Sequence, residues 1–95
     1  MSEGERSVVG TGRAQVDARL LDLSLGGALL LLTVSLDEGV VHDFALNLEG
    51  ETISVQAQVK RCRPAVREPG YEVAVEFVGI APAHERRLRE YLDRP

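Results

Sequence analysis

The sequence lacks the multiple cysteines and the long apolar runs that are typical of disulfide-rich, zinc-binding and membrane proteins. A single cysteine, Cys62, excludes an intramolecular disulfide and a zinc site made from cysteines. No apolar run reaches the roughly 18 residues that a membrane-spanning helix needs, and the amino terminus lacks the apolar core of a signal peptide. We therefore expect a cytoplasmic protein without membrane insertion.

Positive charge is also scarce, which narrows the range of partners. Eleven lysines and arginines stand against fifteen aspartates and glutamates, for a formal net charge of −4. That balance disfavours a broad DNA- or RNA-binding face, although a few placed arginines could still hold a small anionic ligand. His42 and His84 stand in no metalloprotease spacing, and no nucleophile–base pair is evident. We expect no metal site, no cofactor and no enzymatic activity.

The length of 95 residues fits one domain. Residues 1–12 are small, polar or charged apart from Val8 and Val9, which predicts a flexible amino-terminal arm followed by a domain over residues 13–95. A strand around Val8 and Val9 is the alternative for that arm.

The rest of the chain alternates between apolar and polar residues, as half-buried strands do. This alternation predicts strands over residues 14–20, 43–48, 52–60 and 71–77. The segment from Ala28 to Val34 is almost entirely aliphatic, which predicts a strand covered on both faces.

One helix is predicted, at the carboxyl end. Pro82 suits a first helical turn, and residues 83–93 are rich in helix formers. Leu88, Tyr91 and Leu92 form one apolar stripe, which we expect to pack on the outer face of the strand at 28–34. Antiparallel strands with short turns and one helix predict a small β-barrel with the helix packed outside.

The segment from Asp22 to Gly27 is the candidate site. Asp22 and Ser24 project from one face at the end of a strand, and Leu23 and Leu25 should anchor the segment in the core. A carboxylate can accept two hydrogen bonds from a guanine edge, and a hydroxyl can donate to a phosphate. The alternative interpretation, which residue chemistry alone favours, is that both side chains only satisfy turn amides.

These residues also carry a resemblance. Asp22, Ser24 and Gly27 match the D/N-x-S-x-x-G signature of PilZ domains, receptors for the bacterial messenger cyclic di-GMP. Further along, residues 59–61 resemble the end of a later family strand, and residues 71–77 resemble the Y-G-V-x-F strand of the family. The resemblance implies a six-stranded antiparallel β-barrel with a carboxy-terminal α-helix packed outside.

The resemblance further implies cyclic di-GMP binding by Asp22, Ser24, Gly26 and Gly27. Ligand-binding PilZ domains also have an R-x-x-x-R pair before the barrel, and none of the upstream arginines has this spacing. Arg6 and Arg13 are the residues that could partly replace the pair on the ligand phosphates.

Two hypotheses therefore compete. In one, the chain is a regulatory domain that binds cyclic di-GMP and signals to a protein partner or a neighbouring domain. Its affinity for the nucleotide is then lowered by the missing arginine pair. In the other, it is a degenerate PilZ-like adaptor that binds proteins and no cyclic di-GMP.

Overall fold

The chain is mostly β-structure with one carboxy-terminal helix. The structure is a computed structural model, which describes residues 6–11 and 14–94. Its elements are β1 (Arg6–Thr11), β2 (Ala14–Leu23), β3 (Gly27–Leu32), β4 (Val41–Leu48), β5 (Glu51–Pro64), β6 (Tyr71–Ile80) and α1 (Pro82–Leu92). The prediction of a β-rich chain ending in one helix is confirmed. No helix in these described ranges is long and apolar enough to span a membrane.

All neighbouring strands pair antiparallel. Strands β2, β3, β6, β5 and β4 form a curled sheet in that order, and β1 pairs with both of its edges, so that the order β1-β2-β3-β6-β5-β4 closes on itself. Strand β1 contains Val8 and Val9 and falls within residues 1–12, where a strand is the alternative to an arm. Its backbone supplies hydrogen-bonding partners to two sheet edges that would otherwise be open.

The core follows the alternation of the strands. Leu30 and Leu32 of β3 point inward, as do the apolar residues of β5. The largest fully buried side chains are Phe44, Leu30, Leu32, Leu46, Ile53, Leu88, Val59 and Val73. In β4 and β5 buried residues alternate with more exposed ones, so the outward-facing residues of these strands form an outer surface on which a site can be built.

Helix α1 lies against β5, so the prediction that it packs on the outer face of β3 is wrong. His84 and Arg87 of α1 contact Ser54 and Glu51 of β5, and Leu88 is fully buried in the core. The register of β6 gives the reason. Its pairing with β3 stops at Glu76, whereas its pairing with β5 continues to Ile80. The helix therefore begins beyond Gly27, the edge of β3 at which its pairing with β6 stops.

The predicted apolar stripe of α1 is confirmed in its composition. Tyr91 and Leu92 pack against the core beside Leu88. The outward-facing leucines of β3, Leu29 and Leu31, are instead only half-buried. This leaves a partly apolar strip on the outer face of the sheet, next to the candidate site.

Candidate functional site

The strand that leads into the candidate site contains a β-bulge. Leu20 pairs with Leu30, but the next pair is Asp22 with Leu29, so Leu21 is the extra residue. Leu30 points inward and Leu29 outward, which places Asp22 on the outer face. The Asp22 carboxylate is exposed, and its Oδ1 accepts a hydrogen bond from the Leu23 N–H at 2.9 Å.

Ser24 closes the turn between β2 and β3. Its backbone N–H donates to the Gly27 carbonyl at 2.9 Å. Its Oγ accepts from the Gly27 N–H at 3.2 Å and lies at the same distance from the Gly27 carbonyl oxygen. The hydroxyl thus serves the turn amides, as the second interpretation of the sequence expects.

The two glycines of the turn have different surroundings. A Cβ built on Gly27 would lie 2.3 Å from the Val75 carbonyl oxygen, so β3 can approach β6 this closely only without a side chain. A Cβ on Gly26 would meet nothing within 4 Å, while the Gly26 carbonyl accepts from the Phe77 N–H at 2.8 Å. Gly27 is required by packing, whereas Gly26 leaves open space at the surface.

The anchoring expected of the turn leucines is only half right. Leu23 packs against the core, whereas Leu25 is 40% exposed. The reason is that β2 ends at Leu23, so the strand alternation no longer governs the direction of Leu25. Together with Leu21 and Val78, Leu25 adds apolar surface to this end of the sheet.

Of the two predicted phosphate-binding arginines, the structure describes one, Arg6. Arg6 is the first residue of β1 and pairs with Arg19, three positions before Asp22 on β2. Arg13 lies outside the described residues. The Arg19 guanidinium is held by Glu68, with Nη2 at 2.9 and 2.7 Å from the two carboxylate oxygens. The structure therefore brings Asp22, Ser24, Gly26 and Gly27 together where β2 turns into β3, and it puts Arg6 on the neighbouring strand β1.

Sequence reasoning missed the outer face that extends from this turn. Asp22 pairs with Leu29, Leu29 with Ala74, and Ala74 with Arg61, so the four residues form one row across β2, β3, β6 and β5. A second bulge, between Val59 and Arg61, sets the last step of the row. We call these four residues the outer row. No pattern in the sequence specifies either bulge, so the row could not be predicted.

The remaining reactive side chains have structural contacts. The Ser54 N–H donates to His84 Nδ1 at 3.0 Å, His42 stacks edge-on against Phe44, and the Leu36 N–H donates to Cys62 Sγ at 3.5 Å. Within the described ranges there is no group of three or more histidine, cysteine or acidic side chains that could hold a metal ion. His84 thus joins the helix to β5.

Comparisons with known proteins agree on the fold. The PilZ domain model matches residues 5–94. The solved structure of the PilZ domain with c-di-GMP of YcgR from Escherichia coli superposes with a TM-score of 0.77 at 21% identity, over 94% of this chain and 79% of that one. The Bacillus subtilis inhibitor of motility, MotI/DgrA, also superposes with a TM-score of 0.77, at 17% identity, over 100% of this chain and 51% of that one.

These structural likenesses are too distant in sequence to show more than a shared fold. No curated protein sequence is similar enough to count as a match. The chain spans about half the length of the Bacillus protein.

Proposed function

Starting from the finding that this chain belongs to the PilZ domain family, we propose that it is a non-catalytic regulatory domain that binds cyclic di-GMP and signals to a protein partner. The solved YcgR domain contains this nucleotide, and the second structural neighbour is an inhibitor of motility. Both superpose over nearly all of the present chain, which supports a related regulatory role.

The exposed carboxylate of Asp22 is the observation that carries the proposal. Only Oδ1 of this group has a hydrogen-bond partner among the described residues, and that partner is the adjacent amide of Leu23. Oδ2 is free to accept from a guanine N–H, and Oδ1 has a second lone pair. A carboxylate can therefore accept both edge donors of guanine in a charge-assisted pair.

Ser24 and the two glycines support the same site. The Ser24 Oγ lies 3.2 Å from the Gly27 carbonyl, so this hydrogen bond is long, and rotation of the hydroxyl can direct its hydrogen to a phosphate oxygen instead. Oγ can still accept from the Gly27 N–H after that rotation. The open space beside Gly26 lets a ligand approach the backbone. Arg6 and Arg13 are proposed to contact the phosphates.

The degenerate adaptor is the second candidate function, and a specific observation favours it. The contacts of Ser24 and Gly27 are also required by the turn and by the approach of β3 to β6, so the signature could persist without a ligand. Exposed Leu21, Leu25 and Val78 would then contribute apolar contact area for a protein partner.

Calorimetric titration of the chain with cyclic di-GMP distinguishes the two functions. We expect saturable binding that Asp22→Ala weakens about tenfold to a hundredfold, because a hydrogen bond to a charged group contributes roughly 1.5–3 kcal/mol. Asp37→Ala is the matched control, since Asp37 is an exposed aspartate in the β3–β4 connection and its carboxylate has no hydrogen bond or ion pair within the described chain. Absence of heat and of any thermal shift at high micromolar nucleotide would rule out the binding function and favour the adaptor.

A further inference from the structure

Arg61 differs from the other cations of β5. Lys60 lies 3.5 Å from a carboxylate oxygen of Glu76, and Arg63 lies 3.7 Å from one of Glu72, so each has an acidic partner on β6. Arg61 is exposed between them, and its guanidinium has no hydrogen bond or ion pair in the part of the chain that the structure describes. Its charge is therefore available to an external anion.

The β-bulge gives Arg61 its direction. Val59 pairs with Val75, both buried, and the next pair is Arg61 with Ala74. Ala74 lies between the inward-facing Val73 and Val75 and so faces outward. Arg61 opposite it also faces outward, on the same surface as Asp22.

The outer row sets the distance between the two charges. Neighbouring strands are about 4.8 Å apart, so the three strand steps from Arg61 to Asp22 separate their backbones by about 14 Å. The residues between them, Leu29 and Ala74, are half-buried, uncharged and of modest size. A flat base or a ribose can lie on this surface with an anionic group directed toward Arg61.

We infer that Arg61 is a phosphate-binding residue of the nucleotide site and replaces, from β5, part of the missing R-x-x-x-R pair. The inference rests on the proposed function. The guanine held by Asp22 lies at one end of the outer row, the sugar and phosphate lie over Leu29 and Ala74, and the Arg61 side chain extends back across Ala74 to the phosphate. A guanidinium binds phosphate through two parallel N–H donors, which suits this role.

The test compares the calorimetric affinity for cyclic di-GMP of the wild-type chain with those of three variants. We expect Arg61→Ala to weaken binding about tenfold, because it removes a charge-assisted contact. The affinity of Arg61→Lys should lie between those of the wild-type chain and Arg61→Ala, since lysine keeps the charge and loses the paired donors. Arg86→Ala is the matched control, because Arg86 is an exposed arginine of α1 and has no ion pair in the described residues either.

A second measurement follows the Ala74 and Leu29 methyl resonances during the nucleotide titration. We expect both to shift in the wild-type chain, with melting temperatures unchanged by the Arg61 substitutions. If the wild-type chain binds cyclic di-GMP and Arg61→Ala binds it as tightly as Arg86→Ala does, the inference is overturned and the proposed function stays intact. No binding by the wild-type chain would instead remove the proposed function, and the inference with it.

Discussion

The turn between β2 and β3 and the turn between β4 and β5 both connect neighbouring antiparallel strands, yet they are stabilised differently. The β4–β5 turn has two central residues, Glu49 and Gly50, with positive φ of 54° and 88°. This is the geometry that matches the right-handed twist of a two-residue hairpin. The Gly50 N–H also donates to Asn47 Oδ1 at 3.0 Å.

Helix α1 supports the β4–β5 turn from outside. Arg87 of α1 pairs with Glu51, Arg94 just after the helix pairs with Glu49, and Tyr91 lines the cavity between helix and turn. Within the described residues, no side chain from another element hydrogen-bonds to the β2–β3 turn, which depends on its own Ser24 and on the backbone of Phe77. The comparison shows that one turn is supported by the helix, whereas the other leaves its surface free for a ligand.

The largest expected effect is on the free energy of unfolding, when the side chain at the centre of the contact between helix and core is truncated. Leu88 is fully buried, so Leu88→Ala should lower the free energy of unfolding by about 2–5 kcal/mol through lost burial and a cavity. Leu25→Ala, in the β2–β3 turn, should change it by only about 0.5 kcal/mol, because that side chain is 40% exposed and lies outside the core cluster. Urea denaturation measures both values. Similar losses for the two variants would show that the β2–β3 turn depends on Leu25 as much as the helix contact depends on Leu88.

The next effect separates the two glycines of the β2–β3 turn. Gly27→Ala should destabilise the chain by about 1–3 kcal/mol, since the new Cβ would overlap the Val75 carbonyl and push β3 from β6. Gly26→Ala should have little effect on the melting temperature, because its Cβ enters open space. A Gly27→Ala variant as stable as wild type would contradict the close approach of the two strands.

Much of the fold could be predicted because burial alternates along a strand. The alternating residues 52–60 identify β5 and its inward face correctly, and Pro82 marks the first turn of α1 correctly. The position of α1 could not be predicted in the same way. It depends on how far β6 extends past β3, and interstrand register is not encoded in the alternation of any single strand.

The candidate site was predictable where it is local and hidden where it depends on several strands. Asp22 lies at the end of β2 and Ser24 in the turn that follows it, so their short spacing in sequence was enough to predict that they lie close together. Arg61 reaches the same face only through two bulges and three strand pairings. A bulge shifts which residues face outward, so strict alternation from Val59 misses the outward direction of Arg61.

The smallest expected effect on stability comes from removing one side-chain hydrogen bond in each turn. Ser24→Ala removes the bond from the Gly27 N–H, and Asn47→Ala removes the bond from the Gly50 N–H, so each should cost about 1 kcal/mol of stability. The two variants should differ when titrated with cyclic di-GMP. Ser24→Ala should lose affinity, because the proposed site loses a phosphate donor and the shape of its turn, whereas Asn47→Ala should bind as wild type does. Ser24→Thr keeps a hydroxyl and should restore part of the affinity. If Asn47→Ala weakened binding as much as Ser24→Ala, loss of stability alone would explain both results, and Ser24 would have no role in binding.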